Sequence, residues 1–594
     1  MRYIVFSLLL ALAACTPKAD SESESTSSLS LADKAFVSDT TEYFGRLEKM
    51  GFASGLLISR GDEILLHSGF GLADREADRP WSEDTIATIG SITKQFTGAA
   101  ILLLQEDGLL SVEDPITDYF PDVPYDKQAI TLHQLLTHSS GIIDVRGPGD
   151  WDPIDRETFI KLSMDQALEF EPGASFAYSN AGYSLLAAII EQITGNSYET
   201  FVRERLFLPA GMKDTGYIQA GWDDSRVAIG YQDGKRWGTV LERPFAEDGP
   251  YWVLRGNGGI HSTTSDMLLW AKALTSGEAL SSDALGSYWS PHVDEGYGDT
   301  FYSYGWVIRQ GPGDRRVVTH NGGNNVLMAD MVIYPDDDVV FVLQSNVLAD
   351  WPLTESLLGM IEARLFDSEA YPLVPSVMEI DPIEAAVYTG DYVSGENNEQ
   401  LEFKVVADGS DLLLSSGNAR TFGELHSTRA VDAERSQRLS TRIAEIVAAY
   451  VEFDELGPLY DAYEGRATLV KLQEGWASHK QSNEREFGPL KGFSILGTAL
   501  RNGRDVTVAR HHFENGHYDS TFVWDPDQEA HLLGRSSRGL DPQLRFISTG
   551  ASNFGSWDGG FSDSRSLSFS VASGSLTLGS LFGDIVAERV PAGD

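Results

Sequence analysis

Ser91 stands three residues before Lys94 in "GSITKQFTG", at the start of an apolar stretch that reads as a helix. A serine hydroxyl becomes a useful nucleophile only when a base within hydrogen-bond reach takes its proton. Residues three apart share one helix face, so a lysine at this spacing meets the serine without any loop closing over it. The start of a helix adds free backbone N–H groups and the positive end of the helix dipole, both suited to a developing anion. A lysine is charged in water, however, and accepts a proton only where burial or a neighbouring charge lowers its pKa. These residues alone do not separate a nucleophile from a helix cap, because a chain of this composition yields about one Ser-x-x-Lys by accident.

Two later stretches decide the matter: "FAYSNAGYS", with Tyr178-Ser179-Asn180, and "VVTHNGGNN", with His320-Asn321-Gly322. Singly, each has an ordinary explanation: Tyr178 as packing, Asn180 as a turn residue, Gly322 as a bend. Together and in this order, Ser-x-x-Lys, Tyr-x-Asn and His-x-Gly resemble the serine β-lactamase and penicillin-binding-protein superfamily. The Tyr-x-Asn form is similar to its class C branch, which includes class C β-lactamases, D-alanyl-D-alanine carboxypeptidases, D-aminopeptidases and family VIII esterases. The phrases "LLTHSSGI", "FEPGASFAYSNAGYSLL", "GGIHSTTSDMLLWAKAL" and "YGWVI" follow the same family order, and the resemblance spans about residues 36–370.

The resemblance implies a serine hydrolase that passes through a Ser91 acyl-enzyme on an ester or amide. Lys94 and Tyr178 would share the serine's proton and titrate as a unit, with the identity of the base left open. Asn180 would hold the substrate's acyl-side amide or carbonyl. The backbone N–H groups of Ser91 and Gly323 would form the oxyanion hole. A side chain at Gly322 would obstruct substrate approaching the strand edge. No metal or organic cofactor is implied. The chain has neither a Gly-x-Ser-x-Gly elbow nor a His-Glu-x-x-His zinc motif.

One departure bears on substrate. Class C β-lactamases and carboxypeptidases carry lysine where this chain has His320, and imidazole, with a reference pKa of about 6.5, is mostly neutral at pH 7. The pocket is therefore expected to bind carboxylate-bearing β-lactams and D-alanine peptides less well, and to favour an ester or amide without an obligatory carboxylate. The competing class is a non-catalytic receptor for a cell-wall fragment or peptide, which has no use for an activated nucleophile. His133, His138 and Ser139-Ser140-Gly141 read as a helix end and turn rather than a second catalytic set, and His261 receives no role.

The elements that must position these residues follow an α/β (α+β) pattern. "SGLLISRGDEILLHSGFGLAD" reads as two strands around a Gly-Asp turn, and "RRVVTHNGGNNVLMADMVIYPDDDVVFVLQSNV" as three successive strands. With a helical middle between them, they predict a sheet built from both chain ends, flanked by helices and a helical subdomain. From about 375 to 594 the chain reads as mostly β with at least one helix, marked by Leu439, Ile443, Val447 and Tyr450, and subdivided near 430 and 545. Stretches of this region resemble NTF2-like or lipocalin-like accessory domains. His511, His512 and His517 lack acidic or cysteine partners at ligand spacing and read as structural or surface residues.

The N-terminus and composition frame the setting. "MRYIVFSLLLALAAC" resembles a bacterial lipoprotein signal, with residues 1–14 removed and Cys15 lipidated, and Thr16 suggests the outer membrane. Cys15 is the only cysteine, so no intrachain disulfide forms. Residues 15–35 are serine-rich and locally acidic, as expected of a flexible tether that leaves the hydrolase domain on the periplasmic side of the cell envelope. With 88 acidic against 45 basic residues and a net charge of -43, the surface repels phosphate backbones, which argues against a nucleic-acid partner and for a small-molecule or peptide substrate.

Overall fold

The computed structural model describes residues 29–591, except 50, 146–147, 233–234, 297–298, 325, 348–350, 372–376, 379, 396–399, 428–431, 453–454, 464–468, 502–503, 526–530, 537–542, 551, 557–564, 571–572 and 580–584. The expected signal and Cys15 lie outside the described residues. The first helix, Leu31–Lys49, begins inside the stretch read as tether, because the Ser30 hydroxyl accepts the Asp33 N–H at 3.0 Å and Phe36, Tyr43, Phe44 and Leu47 bury one face. No helix among the described residues is long and apolar enough to cross a membrane.

The N-terminal half is organised on an eight-stranded antiparallel sheet. Its order is Glu63–Phe70, Ser54–Arg60, Val339–Ser345, Met328–Tyr334, Arg316–Gly323, Val307–Gln310, Phe301–Tyr302 and Val293–Asp294. The early hairpin turns at Gly61, whose φ of 57° suits glycine, and pairs directly with the late strands, so both chain ends build one sheet as the sequence predicts.

Alternation along the strands splits the apolar side chains between two cores. Leu57, Met331, Ile333, Val340 and Val342 face the helical layer, packing with Ile92, Phe96 and Trp270. Leu56, Ile58, Val332, Phe341 and Leu343 face the terminal helices Leu31–Lys49 and Trp351–Phe366. A sheet covered on both faces needs continuous apolar strands, which is why "VVFVLQS" lacks polar alternation. The helix Thr93–Glu106 lies buried along its length between this sheet and the helices Asn180–Thr194 and Tyr198–Val202.

The C-terminal part contains a closed eight-stranded barrel formed by Gly390–Ser394, Leu401–Asp408, Asp411–Ser416, Gln543–Gly550, Asn553–Ser556, Arg565–Ser570, Ser575–Gly579 and Ile585–Arg589. Phe403, Leu412, Leu414, Phe546, Leu567, Leu576 and Leu578 fill it. Between its third and fourth strands the chain leaves to build a layer pair in which the described residues form four helices, from Ala419–His426 to Leu469–Phe487, and a four-stranded sheet from Leu490 to Ser536; the first of these helices also sends Leu425 into the barrel core. The predicted amphipathic helix is Ala433–Glu452, with Leu439, Ile443, Val447 and Tyr450 buried against Phe522 and Trp524 of that sheet.

Candidate active site

Ser91 sits in a single 3₁₀ turn, Gly90–Ile92, that leads straight into the helix Thr93–Glu106. The turn presses on the strand Arg316–Gly323 through three glycines. Gly90 has φ 49°, and a Cβ there would fall 2.2 Å from the Gly323 nitrogen. A Cβ on Gly322 would fall 2.1 Å from the Ile89 carbonyl oxygen and 2.4 Å from the Ser91 nitrogen. Its missing side chain makes room for the turn that carries Ser91. The same close approach gathers the Ser91 and Gly323 N–H groups at one seam, and Gly323 is exposed there.

Lys94 is fully buried, and its Nζ reaches three oxygens: Ser91 Oγ at 3.1 Å, Asn180 Oδ1 at 2.8 Å and the Asn257 carbonyl at 2.8 Å. Burial pulls its pKa down from 10.5 to about 7, against the opposing attraction of Asp144 and Asp150. Both secondary acceptors are fixed by other groups. Asn180 is the first residue of the helix Asn180–Thr194, capped by Ser179, whose Oγ accepts the Gly182 N–H at 3.2 Å. The Asn180 Nδ2 donates to Asp144 Oδ2 at 3.1 Å; because a carboxylate only accepts, this leaves Oδ1 facing Lys94. Asn257 is tied by Nδ2 to Ser184 Oγ at 2.8 Å and the Val253 carbonyl at 2.7 Å. Its loop is anchored by buried Arg255, which donates to Glu191 at 2.8 Å and to both Asp248 oxygens at 2.9 and 2.7 Å.

Tyr178 immediately precedes the capping serine, so the Tyr-x-Asn spacing places a loop residue, a cap and a first helical turn in succession. Its ring forms part of the cleft wall, 42 % exposed, with Lys94 Nζ 4.7 Å from the ring centroid. Burial raises the pKa of the phenol above the ordinary tyrosine value, with Ser91 and Tyr302 opposing the shift. The segment leading to it is zipped onto residues 138–141 by Glu169 N–H to the Gly141 carbonyl at 2.8 Å, Gly173 N–H to Ser139 at 2.8 Å and Ala177 N–H to His138 at 2.9 Å.

His320 lies across the cleft, 4 % exposed, with its ring centroid 6.4 Å from that of Tyr178. Nδ1 faces the Asn321 carbonyl at 2.5 Å and must donate to it; Nε2 then accepts from the Tyr302 hydroxyl at 2.9 Å. One proton satisfies both contacts. Burial, helped by the charge of Lys94, pushes the pKa down to about 3. The imidazole is thus neutral over the whole physiological range, more firmly than its reference pKa implies.

Ser91, Lys94, Tyr178, Asn180, His320, Gly322 and Gly323 therefore converge on one cleft. Sequence reasoning missed Asp144, Asn257 and Tyr302. Asp144 follows closely after "LLTHSSGI", but its bond to Asn180 crosses 36 positions. Asn257 acts through a main-chain carbonyl, which carries no side-chain signature. Tyr302 lies near the quoted "YGWVI" but outside any motif.

Comparison with known proteins places the chain in a family. A family model described as Beta-lactamase matches residues 48–355. Penicillin-binding protein 4* of Bacillus subtilis (strain 168) is 31 % identical over 395 residues, covering 64 % of this chain and 85 % of that protein. Esterase EstB of Burkholderia gladioli is 33 % identical over 198 residues, 30 % of this chain and half of its own length. The octameric penicillin-binding protein homologue from Pyrococcus abyssi superposes with a TM-score of 0.50 at 21 % identity, covering 83 % of this chain and 98 % of that one, a likeness of fold.

The glycine seam is open to a direct check. In Gly322→Ala the new methyl group meets backbone on the Ser91 turn. Overpacking of this kind costs ~1–3 kcal/mol. Thermal unfolding should show that loss. Reactivity of Ser91 toward a fluorophosphonate should fall ~100-fold as the two N–H groups separate. Unchanged reactivity would show that the seam does not set the geometry of the site.

Proposed function

The chain belongs to the beta-lactamase family of serine hydrolases, and we propose that it cleaves an ester or amide through an acyl-enzyme on Ser91, with Lys94 as base. The observation that carries this reading is the hydrogen-bond count at Lys94 Nζ. A charged ammonium donates three hydrogen bonds, one to each of its three oxygens. A neutral amine donates two and accepts one. The Asn257 carbonyl and the Asn180 Oδ1 accept only, so the contact that reverses on deprotonation is the one with Ser91. The lone pair of the neutral amine then faces the hydroxyl it must deprotonate.

The steps balance on these residues. Ser91 Oγ attacks the acyl carbon while its proton passes to Lys94, and the anionic oxygen is met by the N–H groups of Ser91 and Gly323. A proton returns through the Tyr178 phenol to the departing alcohol or amine, leaving the acyl ester on Ser91. Water attacks that ester, gives its proton to the same pair, and the acid leaves with Ser91 restored. Tyr178 holds its proton at neutral pH and relays it, since its pKa is raised while that of Lys94 is lowered.

Substrate preference follows from charge. Neutral His320 offers no cation to a substrate carboxylate, and Asp144, exposed beside Asn180, would repel one. Uncharged or amine-bearing acyl groups, as in small esters and D-amino-acid amides, fit this cleft. EstB, as an esterase, is in keeping with that. Export as a lipoprotein anchored at Cys15 completes the reading and rests on the N-terminal sequence.

Two measurements test it. Ser91→Ala should lower turnover of p-nitrophenyl esters and D-alanine p-nitroanilide ~1,000-fold or more. For the intact protein, nitrocefin should lag the better of these substrates at least ~10-fold in kcat/KM, as expected when a charge-assisted contact is missing. Faster nitrocefin turnover, or an active Ser91→Ala, would overturn the reading. The pH profile is the second. Lys94 is an ammonium below its pKa and a base above it, so kcat/KM should rise with pH through about 7 and then level. A limb displaced to the ordinary lysine range would remove Lys94 from the role.

A further inference from the structure

His138 takes no part in the steps above, yet it holds the chain on both sides of Tyr178. Its carbonyl accepts the Ala177 N–H at 2.9 Å, and its ring Nδ1 accepts the Ser179 N–H at 3.1 Å. A ring whose Nδ1 accepts carries its proton on Nε2. The side chain is 1 % exposed, and that Nε2–H has no hydrogen-bond partner among the described residues. What surrounds it is aromatic: ring centroids of Tyr178 at 4.3 Å, Tyr302 at 4.5 Å, Tyr183 at 5.1 Å and Phe176 at 5.9 Å.

The backbone of His138 adds a second sign. Its φ of 56° lies in the left-handed region, uncommon for a non-glycine residue though histidine enters it more readily than most, and this turn brings the carbonyl and ring of one residue to the two sides of Tyr178. Here one nitrogen and the carbonyl clamp residues 177 and 179, while the ring lies against the tyrosine between them.

We propose that His138 is a positioning residue that sets the Tyr178 phenol over Ser91 and Lys94, its two backbone clamps fixing the main chain and its ring fixing the side chain. The His138 ring lies 4.3 Å from the Tyr178 ring, centroid to centroid, and limits the positions the phenol can take. The proposal rests on the Ser91 hydrolase reading, because positioning Tyr178 matters only if Tyr178 relays the proton.

The test uses the full chain and three variants. His138→Asn keeps an acceptor close to the Nδ1 position and tolerates left-handed backbone. His138→Gln keeps an amide N–H reaching toward the Nε2 position, and His138→Ala keeps neither. Labelled serine, counted by fluorophosphonate titration, separates folded sites from total protein. Per labelled serine, kcat should fall ~10–100-fold in His138→Ala, with KM little changed and the limb of the pH profile displaced, and should recover in part in His138→Asn. A lower count of labelled sites with full kcat per site and an unmoved limb in all three variants would make His138 purely structural and overturn the proposal. If the wild-type protein is not labelled at Ser91, the hydrolase reading itself falls, and the positioning role with it.

Discussion

A single buried amine sets the terms for the rest of the N-terminal half. Lys94 has no access to water, so each of its donors must find protein oxygen, and the three it finds come from its own turn, the Asn180 helix and the Asn257 loop. None of these acceptors is free to wander. Asp144 fixes the side-chain amide, the Arg255 ion network fixes the loop, and the glycine seam fixes the turn. The amine's lowered pKa is thus a product of the whole packing arrangement rather than of any one neighbour. Anionic residues close by limit how far it falls, which keeps the group near the pH at which proton transfer is most useful.

The opposite wall of the cleft obeys the same economy of protons. Lys94 adds to the cost of charging His320 and His138, and burial does most of the work, so only Lys94 of these three basic groups changes charge near neutrality. The aromatic cluster of Tyr178, Tyr183 and Tyr302 is the medium that makes this possible, because it excludes water while still offering hydroxyl groups. His320 is therefore a fixed hydrogen-bonding element. Its replacement of a lysine removes a permanent charge rather than shifting a titration.

The chemistry-bearing residues were legible in the sequence because their spacing is local: Ser91 and Lys94 share a helix face, and Tyr178 and Asn180 bracket a cap. The early hairpin and the late strands were legible from alternation and turn residues, and the helix of Leu439, Ile443, Val447 and Tyr450 from its period. What escaped reading depends on distant pairing. Asn257 works through a carbonyl, Asp144 through a bond to a residue far along the chain, and Gly322 also through a close approach to the Ser91 turn. The start of the first helix at Leu31 was hidden by the serine-rich text before it, where Ser30 acts as a cap. In the C-terminal part the strands themselves were recognisable, but not that strands flanking a long helical stretch belong to one barrel.

That barrel has a consequence for how the chain is assembled. Strands Asp411–Ser416 and Gln543–Gly550 are hydrogen-bonded neighbours, with Ser415 opposite Gln543, although an entire helix-and-sheet unit lies between them in sequence. Adjacent strands sit roughly 5 Å apart, so the inserted unit must return its two ends to nearly the same point in space. Once it has folded it acts as a short tether, and the entropy of closing the long loop has already been met by its own core. A lesion that unfolded the insert would lengthen that tether again, and the expected cost falls on the pairing of these two barrel strands, far from it in sequence.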